Sequence, residues 1–184
     1  MLSERYDQAL VLAHELHRTQ TRKGTGIPYI AHLLAVSALV IEHGGDENQA
    51  IAALLHDAVE DQGGVETFDG IQRRFGADVA GIVADCTDSW TEPKPPWRVR
   101  KEAYLLALPE KSPRSHLVSL ADKTHNAEAI AADRQAHGDD QWERFAGGAE
   151  GTRWYYAALA KFFAREMAGP LADRLAGAVA EMGP

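Results

Sequence analysis

The chain has 184 residues, 45% of them apolar and 25% charged, which suits one soluble domain with a sizeable core. Its 27 acidic residues outweigh 19 basic ones, for a net charge of −8. That balance excludes a broad nucleic-acid or anionic-membrane surface, since a phosphate backbone needs a basic face; a small phosphorylated ligand can still be met locally.

Residues 1–17, MLSERYDQALVLAHELH, intersperse charges with apolar residues and are not a signal peptide. No stretch approaches the roughly 18 uninterrupted apolar residues of a membrane span, so a cytoplasmic protein is expected. Residues 4–20 carry Leu10, Val11, Leu12 and Leu16 at near-helical spacing behind Ser3, a capping residue. A loop with two glycines and a proline follows, TRKGTGIPY (21–29), and then an apolar helix over 30–43 that stops at Gly44-Gly45. Asp46 reads as the N-cap of a third helix running to about Asp61, closed by Gly63-Gly64.

Two shorter helices, 67–75 and 77–89, divide at Gly76. SWTEPKPPW (89–97) has three prolines and reads as a surface loop carrying two tryptophans. Helix resumes near Arg98, breaks around Pro109–Pro113 and continues over 114–136; HGDD (137–140) is a turn, and 148–168 and 171–182 are the last helices. No alternating strand pattern or repeat occurs, so an all-α single domain over 1–184 with eight to ten helices is expected. Cys86 is the single cysteine; it allows no intramolecular disulfide and reads as a small buried residue.

Of eight histidines, three stand in chemically suggestive settings: His32 after the IPYIA turn, His56 beside Asp57, and His125 within LADKTHNA. On a continuous helix His56 and Glu60 share one face, and Asp57 and Asp61 the adjacent one. Asp122 stands four residues before Asn126 and three before His125, giving a second polar stripe on an apolar helix. Two imidazoles with two or three carboxylates suit Zn, Mn, Fe or Co, leaving positions for water or substrate. On spacing alone, the alternative is that HDAVED is the solvated, frayed end of a helix.

Three stretches together resemble the RelA/SpoT-type alarmone hydrolases of the HD-domain phosphohydrolases: RKGTGIPYIAH (22–32), ALLHDAVED (53–61) and VSLADKTHNA (118–127). FGADVAGIVADCTD (75–88) is similar to that family's intervening helix, and the likeness covers about residues 5–165, with the 171–182 helix beyond it. The resemblance implies an HD-domain helical bundle like the small, hydrolase-only members. It implies one ion, usually Mn²⁺ with Fe²⁺, Co²⁺ or Zn²⁺ as alternatives, held by His32, His56, Asp57 and Asp122. Glu60 and Asp61 would then activate or orient the attacking water, Arg22 and Lys23 meet substrate phosphates, and Asn126 lie near the sugar. A tyrosine that stacks near the base corresponds to Tyr155 or Tyr156. His125 becomes a packing residue or an outer support of the ligands rather than a ligand itself.

The implied reaction removes the 3′-diphosphate of (p)ppGpp or (p)ppApp as pyrophosphate. The absence of G-x-x-x-x-G-K-[ST] agrees with hydrolysis rather than ATP-driven transfer. The other readings are an HD phosphohydrolase for another nucleotide (an NADPH phosphatase, nucleotidase or phosphodiesterase) and an inactive alarmone-binding sensor. The chain departs from the family pattern at Leu33, where proline is common, and at Thr124, Ala127 and Ala129 within LADKTHNAEA. Trp90 and Trp97 are read as packed onto the domain rather than closing over a base. The partner implied is a small nucleotide, and the apolar faces of 148–168 and 171–182 could support a homodimer.

Overall fold

A computed structural model describes residues 1–91 and 93–183. Its helices in chain order are α1 (Glu4–Leu16), α2 (Ile30–Glu42), α3 (Glu47–Leu55), α4 (Ala58–Asp61), α5 (Gly64–Phe75), α6 (Ala77–Cys86), α7 (Trp97–Ala107), α8 (Pro113–His137), α9 (Gly148–Glu166) and α10 (Pro170–Glu181). Short 3-10 turns cover Leu108–Glu110 and Gly138–Arg144. Among the described residues there is no strand, only an isolated antiparallel bridge between Thr21 and Pro28. The all-α expectation therefore holds.

The chain forms two compact units, one of residues 1–95 with 110–119, the other of residues 96–109 with the chain from 120 on. In the first unit α3 packs against α1, α2 and α6. Its Ile51, Ala52, Ala53, Leu54 and Leu55 are wholly buried, which makes it the central helix and a rigid base for the residues that follow it. A capping box starts it: the Gln49 N–H donates to Asp46 Oδ1 at 3.0 Å, and Asp46 N–H to Gln49 Oε1 at 3.1 Å. Arg114 grips the same Asp46 carboxylate with both terminal nitrogens, at 2.8 and 2.9 Å, and reaches Asp78 at 2.9 Å. In the second unit α9 packs against α7, α10 and the Gly138–Arg144 turn.

Several boundaries differ from the sequence reading: α5 begins at Gly64 rather than residue 67, and α6 ends at Cys86 rather than residue 89. α1 ends at Leu16 rather than at residue 20, because His17 and Gln20 close a turn (Gln20 N–H to His17 O, 3.0 Å) instead of extending the helix. The expected helix from Asp46 to Asp61 is interrupted at His56-Asp57. His56 Nδ1 donates to the Ala53 carbonyl at 2.8 Å, the acceptor that the Asp57 N–H would use in an unbroken α-helix. Trp97, read as loop, instead opens α7 directly after Pro95-Pro96.

Candidate active site

The break after α3 is where the chemistry gathers. His32, near the start of α2, and His56, at the end of α3, are 0% and 1% exposed, and their rings meet edge to face with centroids 5.2 Å apart. One ligand atom each from His32, His56 and Asp57 lie within 4.8 Å of one another. Asp57 Oδ2 is 3.0 Å from His56 Nε2 and 3.6 Å from His32 Nε2, and it accepts the Tyr29 hydroxyl at 2.6 Å.

These contacts test whether a cation fits. A carbonyl only accepts, so the bond to Ala53 places hydrogen on His56 Nδ1 and, in the neutral ring, makes Nε2 the nitrogen with a lone pair to offer a metal. Two acceptors 3.0 Å apart are repulsive unless a proton or a metal ion shares the space between them. Two imidazoles and a carboxylate are also the donor set that borderline divalent ions favour, and the carbonyl bond to Nδ1 is the outer support such a ligand needs. The trio fits a divalent metal.

One turn beyond, Glu60 and Asp61 share a cation. Lys94 Nζ lies 2.9 Å from Glu60 Oε1 and 3.0 Å from Asp61 Oδ1. Burial, then the Asp88 charge, raise the Glu60 carboxyl above the usual carboxylate range; Lys94 opposes this and Asp57 adds to it. Burial works against the Lys94 ammonium, but Glu60 and then Asp61 outweigh it and hold Lys94 above its ordinary value. The other oxygen of Asp61 accepts Gln20 Nε2 at 2.9 Å. Arg22 stands over the Tyr29 ring at 5.7 Å, and Lys23 is exposed in the loop beside it. The sequence reading missed Gln20, Tyr29 and Lys94. Tyr29 had a signal, one helical turn before His32 in P-Y-x-x-H; Gln20 and Lys94 had none.

The remaining residues of interest lie in the second unit. Asp122 is buried on α8, where its Oδ2 accepts Lys123 Nζ at 2.6 Å and its Oδ1 accepts Asn126 Nδ2 at 2.5 Å. Burial disfavours the Lys123 charge, yet Asp122 reverses this and holds the ammonium well above its ordinary pKa. Lys123 also stands 5.0 Å over the Tyr104 ring, and Tyr104 meets Tyr155 edge to face at 6.5 Å. Tyr155 and Tyr156 are both buried, and burial pushes the Tyr155 hydroxyl well above its usual pKa. Trp97 packs edge-on to Trp154 and Tyr155, with Arg98 3.4 Å over the Trp154 ring. In the first unit Trp90 is 40% exposed and lies edge-on to Phe68.

The sequence model of the HD domain family matches residues 9–147. A guanosine-3′,5′-bis(diphosphate) 3′-pyrophosphohydrolase, MESH1 of Xenopus tropicalis, is 41% identical over 128 residues, covering 65% of this chain and 69% of that protein. The human MESH1 protein is 38% identical over 122 residues, 65% of each chain. The bifunctional (p)ppGpp synthase/hydrolase SpoT of Escherichia coli is 33% identical over 135 residues, 70% of this chain but only 18% of SpoT. Among solved structures, a metazoan ortholog of SpoT described as hydrolysing ppGpp superposes with a TM-score of 0.78 at 28% identity, covering 100% of this chain and 98% of that one.

Proposed function

The chain belongs to the HD domain family, among the relatives of the MESH1 and SpoT hydrolases, and on that premise we propose that it removes the 3′-diphosphate of an alarmone nucleotide. The substrates are (p)ppGpp or (p)ppApp, and the products are pyrophosphate and the 5′-di- or triphosphate nucleoside. The observation that carries this reading is the pairing, in one unit, of the His32–His56–Asp57 trio with two carboxylates bridged by Lys94.

His32, His56 and Asp57 would hold a divalent ion, with Asp122 as the fourth protein ligand and Mn²⁺ as the favoured metal over Fe²⁺, Co²⁺ or Zn²⁺. Such an ion supplies a polarised phosphoryl oxygen and a water of lowered pKa. The rest is done by side chains. Glu60, its carboxyl raised by burial and by Asp88, accepts the proton of the attacking water. Asp61, whose two oxygens accept Lys94 and Gln20, fixes the direction of that water. Arg22 and Lys23 meet the phosphates, while Asn126 and Tyr155 or Tyr156 contact the nucleoside. No covalent intermediate on the protein is involved.

No helix among the described residues is long and apolar enough to cross a membrane. A cytoplasmic enzyme acting on a small nucleotide is the corresponding placement, with α9 and α10 as the surface for a homodimer. The deciding experiment incubates the protein with ppGpp, pppApp, NADPH, simple 5′-nucleotides and cyclic dinucleotides, each with Mn²⁺, Fe²⁺, Co²⁺ or Zn²⁺. Anion-exchange chromatography then follows pyrophosphate. Release from the alarmones, lost in His56→Ala and Asp57→Ala, supports the reading. Turnover of the other nucleotides with the alarmones intact refutes it.

A further inference from the structure

We infer that His17 and Gln20 are positioning residues for Asp61, with the Gln20 amide as the hub; the inference rests on the reading of Asp61 as part of the water-handling pair. A carboxylate can only accept, so the contact at 2.9 Å to Asp61 Oδ2 fixes the Gln20 NH₂ toward Asp61. Gln20 Oε1 then faces the other way. It accepts the Gln62 Nε2–H at 2.6 Å and lies 2.7 Å from His17 Nδ1. His17 must therefore carry its hydrogen on Nδ1. A single orientation runs from an imidazole, through an amide, to one oxygen of Asp61.

The environment of His17 holds that orientation. The ring is 2% exposed and stacks on Tyr29 at 5.3 Å with planes 19° apart. Its Nε2 is buried without a hydrogen-bond partner among the described residues, so a hydrogen there would be desolvated with none of them to receive it. Burial lowers the His17 pKa and favours the neutral ring, against the Gln20 hydrogen bond and the charges of Asp57 and Asp61. The Tyr29 on which it stacks donates its hydroxyl to Asp57. The turn that ends α1 thus touches two carboxylates of the site, Asp61 through Gln20 and Asp57 through Tyr29. Neither His17 nor Gln20 contacts the reacting atoms in this scheme; both act through Asp61.

The test uses the full chain and four substitutions. Gln20→Leu removes the donor to Asp61 and is expected to lower kcat about 10- to 100-fold, as loss of an outer support does, with KM changed by less than about threefold. Gln20→Glu keeps the shape but turns an oxygen toward Asp61, so it loses the donor and is expected to lower kcat at least as far as Gln20→Leu. His17→Asn retains a donor near Nδ1, whereas His17→Phe retains only the stack, and the phenylalanine variant should be about tenfold slower than the asparagine one. A purely structural role would move stability without separating kcat from KM or the asparagine variant from the phenylalanine one.

Long-range ¹H–¹⁵N spectra of His17 need no turnover. They are expected to show the Nδ1–H tautomer in the wild type and loss of that preference in Gln20→Leu. An Nε2–H tautomer in the wild type, or Gln20→Leu with wild-type kcat, overturns the relay. If the wild type cleaves no nucleotide, the hydrolase reading fails alone and these spectra still decide the relay. Should Gln20→Leu fail to fold, the isosteric Gln20→Glu and the two His17 variants carry the test.

Discussion

Replacing Lys94 with methionine isolates the one cation that Glu60 and Asp61 share. Methionine keeps most of the stem's volume but removes a charge 2.9 Å from Glu60 Oε1 and 3.0 Å from Asp61 Oδ1. At an effective dielectric constant of about 20, opposite charges about 4 Å apart attract by roughly 4 kcal/mol. The Lys94, Glu60 and Asp61 side chains are 30%, 18% and 25% exposed, so solvent screening and lysine's freedom to reorient reduce this to about 1–2 kcal/mol. One pKa unit is about 1.4 kcal/mol, so the Glu60 carboxyl should rise by about one unit. The direction is fixed by what remains: burial, Asp88 and Asp57 all raise Glu60, and Lys94 is the group opposing them. The pH dependence of kcat/KM for pyrophosphate release measures the effect. In Lys94→Met the acid limb moves up about one pH unit, leaving activity about tenfold lower below the limb and little changed above it, whereas Lys94→Arg keeps the wild-type limb. A limb that stays put or moves down in Lys94→Met refutes the account of how Glu60 is tuned.

Metal binding should appear as stability. At a free Mn²⁺ concentration 100 times the Kd, the wild type gains about 2.7 kcal/mol, read as a higher Tm in differential scanning fluorimetry, and Asp57→Ala shows no comparable gain. Gly147→Ala probes the second unit: the new methyl would sit 2.6 Å from Trp97 Cη2, while the backbone (φ −85°, ψ −7°) tolerates alanine. Overpacking of about 1–3 kcal/mol should lower Tm, and adding Trp97→Leu should recover most of the loss; additive destabilisation would contradict the packing argument. Because the folded-state pKa of His17 lies below its unfolded value of about 6.5, the unfolded chain binds the extra proton first. The His17 contribution is then fully present above about pH 6.5 and is lost as pH falls toward the depressed folded value, so urea unfolding of His17→Phe should show a shallower decline over that window than the wild type.

The elements legible in the sequence were those set by local signals. The Asp46 cap, the glycines at 63 and 64 and the prolines before α7 each act on their own backbone, and each marks a boundary in the structure. Gly63 and Gly64 have φ of +120° and +59°, positive values that glycine adopts most readily. What sequence could not show was set by long-range pairing. Gln20 is an ordinary polar residue after a helix, and Lys94 lies among prolines; each becomes part of the site only when the fold carries it to Asp61, 41 and 33 positions away. Asp122 was legible by motif, but its immediate partners, Lys123 and Asn126, follow from side-chain directions on α8.

The geometry of HDAVED shows the limit most clearly. Read as one continuous helix, it places His56 over Glu60 and Asp57 over Asp61 in two parallel stripes, and neighbours such as His56 and Asp57 do not face each other. In the structure His56 Nε2 and Asp57 Oδ2 are 3.0 Å apart. At the interruption that permits this, the histidine's own Nδ1–H donates to the Ala53 carbonyl. That bond selects the tautomer that leaves Nε2 as a ligand atom, at the point where α3 ends. Asp61 N–H regains Asp57 O at 3.0 Å, so the helix resumes at once and carries Glu60 and Asp61 toward Lys94. The four polar groups form two sets because the helix breaks between them, at a point that residue spacing alone does not mark.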